Sequence, residues 1–130
     1  MRQLLVRIVF LIALVAGLTI APVIRADGSS GSGTLSPGDS ACVGPFYSNG
    51  NSIELQGQVT NGSYSPKWSI WWSADNTTYT RVFHAHAIGI TQDILKSLNP
   101  ELFPGYFQSC LNNDTGVSID YTISIGPGQY

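Results

Sequence analysis

His84-Ala85-His86 is the one short motif in this chain whose residue types suit chemistry. Two histidines at i and i+2 leave a strand on the same face. That spacing offers two imidazoles to one zinc or copper ion, provided a third ligand arrives from elsewhere. Asp75, Asp93 and Asp120 are the carboxylates that would supply it. Against this stands a purely structural pair, because Val82, Ile88 and Ile90 fall on the same face of a continuous strand. Trp71 is the second candidate. Its neighbours at two-residue spacing are Lys67, Ser69 and Ser73, all polar, while Trp68, Ile70 and Trp72 take the opposite parity. If the latter three face a core, Trp71 faces water. An exposed indole on a sheet stacks on a sugar ring and buries apolar area, while nearby polar groups bond the hydroxyls. Lys67 lies on that face, and Gln56 and Gln58 would join it if their strand pairs with this one. Nothing in the sequence specifies catalysis. There is no G-x-S-x-G elbow, phosphate loop, dinucleotide fingerprint or EF-hand loop. The chain reads as a binding protein rather than an enzyme.

The elements that must hold these residues have a period of two. Residues 53–59 and 67–73 alternate apolar and polar side chains, with Asn61-Gly62-Ser63 as a turn between them. Residues 78–90 are long enough for two strands or one bent strand. Residues 106–111 and 117–125 are two more, joined by Asn112-Asn113-Asp114-Thr115-Gly116 as a hairpin loop. Between them the pattern changes. Thr91 suits an N-cap and Asp93 a first turn, so a short helix is expected over 92–98, with Ile94, Leu95 and Leu98 inward. Residues 27–41 are dominated by Gly and Ser and read as a flexible tail, because they carry too little apolar surface to order themselves. The expectation is an all-β antiparallel sandwich over 42–130 with one short helical crossover.

The stretch Trp68-Ser-Ile-Trp-Trp-Ser-Ala-Asp-Asn-Thr-Thr-Tyr-Thr-Arg-Val82 resembles the third strand and following turn of fibronectin-type-III and other immunoglobulin-like modules. Residues 106–125 resemble their final two strands. The match covers about 15 residues closely and about 35 loosely by the alternation of apolar and polar positions. The resemblance implies an immunoglobulin-like sandwich with an adhesive or modular role. It carries over no active site. The Tyr-x-Cys corner of immunoglobulin domains is missing, since Gln108 stands two before Cys110.

The N-terminus sets the expected compartment. Arg2 and Arg7 precede an apolar run over 8–20, and Ala26 offers a small residue for cleavage. That order is a secretory signal peptide over 1–26. The product is then secreted, extracellular or at the cell surface, with no membrane association after cleavage. An even pair of cysteines in an exported chain reads as one disulfide, Cys42–Cys110. Beyond residue 26 only Lys67, Arg81 and Lys96 stand against eight carboxylates, a net charge of −5. Nucleic-acid binding needs a basic footprint that this chain lacks. Asn61-Gly-Ser, Asn76-Thr-Thr and Asn113-Asp-Thr match the glycosylation sequon and mark expected surface turns. Together these readings lead to a small exported binding or surface-assembly module, with an extracellular polysaccharide or a surface protein as partner. A metal protein built on His84 and His86, with zinc or copper, is the alternative from another class. A structural coat or filament subunit is a third. Otherwise no cofactor is expected.

Overall fold

The computed structural model describes residues 28–130, so the signal-peptide reading of 1–26 lies outside the described residues. Eight strands account for most of the described chain: β1 (Ser29–Leu35), β2 (Ser40–Ser48), β3 (Ser52–Val59), β4 (Lys67–Ser73), β5 (Thr80–His86), β6 (Gly89–Leu95), β7 (Gly105–Asn112) and β8 (Ile119–Pro127). They form two antiparallel four-stranded sheets. Sheet A has the order β1-β8-β3-β6 and sheet B the order β2-β7-β4-β5. The chain changes sheet at most of its connections. That order, with the first and last strands adjacent, is the double Greek key of a jelly roll. Immunoglobulin-like sandwiches instead pair their first strand with their second. The expected class, an antiparallel β-sandwich, is therefore present, with a strand order unlike the one the resemblance implied.

The alternation read from the sequence sorts side chains as expected in the central strands. Ile53, Leu55 and Val59 of β3 point inward, as do Ile119, Ile123 and Ile125 of β8. Sheet B contributes Trp68, Ile70, Phe107 and Leu111, all fully buried. Each such side chain stabilises by roughly 1.5–3 kcal/mol on burial. Trp68 is fixed further, because its indole N–H donates to the Ala87 carbonyl at 2.7 Å. It also decides the spacing of the sheets. A Cβ on Gly57 of β3 would lie at or inside 3.0 Å of three atoms of the Trp68 ring. Only glycine lets β3 rest on that indole.

Two segments differ from the sequence reading. The expected helix over 92–98 is strand up to Leu95. Residues 89–95 pair with β3 in unbroken register from Ser52↔Leu95 to Gln58↔Gly89. Ile90, Gln92 and Ile94 alternate inward with Thr91 and Asp93 outward, so period two wins over the apparent helical spacing. Leu98, expected inward, is 75% exposed. Among the described residues the one helical turn is 3-10, Pro100–Leu102. The segment expected as a flexible tail supplies β1 and the start of β2. Its side chains bury little, but its backbone pairs with β8 from Ser29↔Ile125 to Leu35↔Ile119. Leu35 is its one buried anchor. Small side chains here permit a strand whose order comes from the ladder rather than from apolar burial.

The disulfide joins Cys42 of β2 to Cys110 of β7 across sheet B, with a Cα–Cα distance of 4.1 Å. It lies within one sheet, between directly opposed residues. Among the described residues no helix is long and apolar enough to cross a membrane.

Candidate functional site

The outer face of sheet B holds most of the chemistry-bearing residues. The register sets them in rows across the strands. Cys42, Cys110, Ser69 and His84 form one row, and Ser40, Asn112, Lys67 and His86 the next. On the other side of the disulfide, Trp71 stands opposite Gln108 of β7 and Arg81 of β5. Opposite Ile70 and Trp71 the register of β5 skips Val82, while the pairing of β4 with β7 runs on unbroken. Trp71 is half-buried, and its indole N–H donates to Ser69 Oγ at 3.0 Å. That bond fixes the ring along the sheet, leaving part of its surface free to stack.

Two tyrosines extend this patch. Tyr47 and Tyr106 are paired across β2 and β7 with ring centroids 5.1 Å apart and planes tilted by 58°. Tyr47 is 51% exposed. Tyr106 lies two residues from Gln108, so it is the diagonal neighbour of Trp71 on this face. The result is an aromatic strip flanked by Gln108 and Arg81, with Asn112 and Lys67 two rows away beyond the disulfide. Tyr79 borders it, and its hydroxyl donates to Asn76 Oδ1. Partial burial raises the Tyr79 pKa, with Tyr106 and Asp75 adding to the effect. The adjoining turn is organised by Asp75. Its carboxylate accepts from the backbone N–H groups of Thr77 and Thr78 and from Ser73 Oγ. Those bonds, Thr77 foremost, hold its pKa far below the usual carboxylate value. Sequence reasoning missed the two tyrosines, because nothing local shows that 47 and 106 become neighbours.

The histidine pair does share one side of β5, and both rings are exposed. β5 ends at His86, however, and Ile90 belongs to a strand of the other sheet, so the expected common face with Ile88 and Ile90 is broken by the bend at 87–88. The proposed third ligands lie elsewhere. Asp75 is engaged in its own turn, while Asp93 and Asp120 belong to sheet A. The acid that does approach is Asp114, whose Oδ2 is 2.7 Å from His86 Nε2. Among the described residues no group of three His, Cys, Asp or Glu side chains is placed to hold a metal ion.

Gln56 and Gln58 do not join Trp71. Their strand β3 is in sheet A and β4 is in sheet B, so the pairing on which the joint site depended does not exist. Instead they cross the outer face of sheet A in two rows. Gln56 lies between Ser124 and Thr91, with Ser30 beyond Ser124. Gln58 lies between Thr122 and Gly89, with Ser32 beyond Thr122. A shallow trough runs over these rows.

The sequons also separate. Asn61 and Asn76 are exposed. Asn113 is fully buried. Its amide donates to the carbonyls of Leu35 and Val117 at 2.9 and 2.7 Å, and its carbonyl accepts from Thr115 Oγ1 at 2.6 Å. Asn113 is thus a tie between loops. The segment expected as a hairpin loop carries the chain from sheet B to sheet A.

No protein-family model matches this chain, and no curated protein matches it either.

Proposed function

We propose that the protein is an exported module that binds an extracellular or cell-surface polysaccharide through the outer face of sheet B. The observation that carries this reading is the aromatic strip of Trp71, Tyr106 and Tyr47 among side chains that bond hydroxyls. A sugar ring has an apolar face and a polar rim. Stacking on Trp71 would bury the first, while Gln108 and Arg81, which stand opposite it, would meet the second, and Asn112 and Lys67 beyond the disulfide row would meet a further ring of the same polymer. Export is supported by the N-terminal pattern of charge, apolar run and small residue, and by the disulfide, which suits an oxidising compartment. The domain's excess of carboxylates disfavours a strongly acidic polymer, so we take the ligand to be uncharged, with Lys67 and Arg81 on this face as hydrogen-bond donors to it.

Co-sedimentation with insoluble polysaccharides and cell-wall preparations tests the reading. Wild type should pellet with at least one of them. Trp71→Ala should lose roughly 10-fold or more in affinity, the range for removing an aromatic anchor. Unchanged binding by the variant would remove Trp71 from the account.

A further inference from the structure

We infer that the outer face of sheet A is a second, aromatic-free binding face for an extended, uncharged, hydroxyl-rich chain. It goes beyond the reading above and does not depend on Trp71.

The first ground is shape. Between the two outward rows lies an inward row, in which Gly31 and Gly57 alternate with Ile123 and Ile90. A Cβ at Gly57 would run into the Trp68 ring, and one at Gly31 would press on Val43 Cγ1 at 3.2 Å. At both glycines the sheet settles onto the opposite layer. The outer surface dips above them, and the trough follows that dip.

The second ground is chemistry. The trough is lined by hydroxyls and carboxamides, with Gln56, Gln58, Thr91, Thr122 and Ser124 across its centre. Each of these groups both donates and accepts hydrogen bonds. An alcohol does the same, so a polyol chain can match the groups left over once Gln56 has given one N–H to Glu54 Oε1 and Gln58 one to the Val59 carbonyl. No lining residue is charged, and the carboxylate at its rim, Glu54, which accepts from Gln56 Nε2 at 3.1 Å, repels an anionic ligand. The strands beneath are already bonded on both sides except at the edges, so a peptide finds no free backbone ladder here. The surface offers no aromatic ring for stacking. Binding must therefore come from several weak polar contacts along an extended ligand. Sheets A and B are opposite layers of the sandwich, so one domain would hold two chains at once.

The test is affinity electrophoresis of the secreted chain in gels containing hydroxyethyl cellulose, galactomannan or dextran, with dextran sulfate as the charged control. At least one uncharged polymer should retard the wild type, and dextran sulfate should not. The double variant Gln56→Ala/Gln58→Ala should weaken that retardation about tenfold or more. Thr122→Arg, which fills the centre of the trough, should do the same. Trp71→Ala should leave a residual retardation that is lost only on adding the glutamine changes. Near-UV circular dichroism identical to wild type shows that each variant is folded.

If the glutamine and Thr122 variants run as wild type while Trp71→Ala loses all retardation, this inference falls and the proposed function stands. If the reverse holds, the trough is the site and the Trp71 reading falls. No retardation by any uncharged polymer overturns the inference. So does a dimer in sedimentation velocity that Thr122→Arg dissociates without any effect of polymer, since a second copy would then cover this face.

Discussion

Gly57→Ala tests how the sandwich is assembled. The added methyl would meet three atoms of a Trp68 ring that has no exposed surface. The ring cannot step aside freely, because its N–H is bonded to Ala87 at 2.7 Å. Either β3 lifts away from sheet B or the indole shifts and loses that bond. Overpacking of a filled core costs about 1–3 kcal/mol, and a buried hydrogen bond left unmade adds about 1 kcal/mol. The sum is about 2–4 kcal/mol. For a domain of this size that is a fall in Tm of roughly 10–25 °C. Gly33→Ala is the matched control. Its Cβ would meet the Tyr121 ring at 3.7 Å, an ordinary contact on an edge strand. It should be neutral or stabilise by up to about 1 kcal/mol, because alanine restricts the unfolded chain. Thermal and urea unfolding followed by circular dichroism decide the matter. If the two variants unfold together, Trp68 does not set the sheet spacing. Gly57→Ala should also weaken retardation by an uncharged polymer, since lifting β3 flattens the trough above it.

Further outcomes follow from the same structure. Replacing Cys42 and Cys110 together by alanine frees a loop of sequence separation 68. The chain-entropy account puts the loss at about 4 kcal/mol, to be read as a lower urea midpoint that dithiothreitol reproduces in the wild type. Asn113→Ala removes buried bonds to Leu35, Thr115 and Val117 and should cost about 2–4 kcal/mol in urea unfolding. Glycopeptide mapping after secretion from a eukaryotic host should find sugar at Asn61 or Asn76 and none at Asn113, whose amide is enclosed. Asp75 has a folded-state pKa lowered from the ordinary 3.8, so it stabilises the fold fully above that value and loses the contribution as pH falls below it. Asp75→Asn should therefore flatten the fall of the urea midpoint between neutral and acid pH. Metal analysis of untagged protein should give well below one ion per chain, whereas stoichiometric zinc lost in His84→Ala/His86→Ala would revive the metal alternative.

Much of the local structure was legible. Residues 53–59 and 119–125 alternate cleanly because one face of each strand is buried and the other is wet, whereas 67–73 keeps the parity of its pairing but buries Ser69 and Ser73 on the outer side as well. The misreadings have two physical origins. Residues 29–35 are ordered by backbone pairing with β8, which leaves no trace in side-chain hydrophobicity. Residues 89–95 are an edge strand with a mixed face, and Ile94, Leu95 and Leu98 mimic a helical spacing there. Site assembly was less legible than the strands. Parity correctly put Trp71 and Lys67 on one outer face. It gave no means of knowing that β3 and β4 enter different sheets, which sends Gln56 and Gln58 to the far side. Tyr47 and Tyr106 come together through a pairing of distant strands, and so does Asp114 with His86. Asn113 carried a faint signal, since Asn-Asp-Thr favours a turn in which the asparagine bonds its own backbone. Its burial depends on Leu35, which lies on a segment too poor in apolar residues to be read as strand.

Nitrogen–proton correlation spectra of the isotope-labelled protein, titrated with a soluble fragment of whichever polysaccharide it pellets with, test the central claim most directly. Three indole N–H signals are expected, from Trp68, Trp71 and Trp72, and Trp71→Phe assigns the one bonded to Ser69. The account predicts a saturable shift of the Trp71 indole, with backbone shifts at Gln108 and Tyr106, while the indoles of Trp68 and Trp72 stay still against their carbonyl partners. Saturable binding that leaves the Trp71 indole and sheet B unmoved would contradict it.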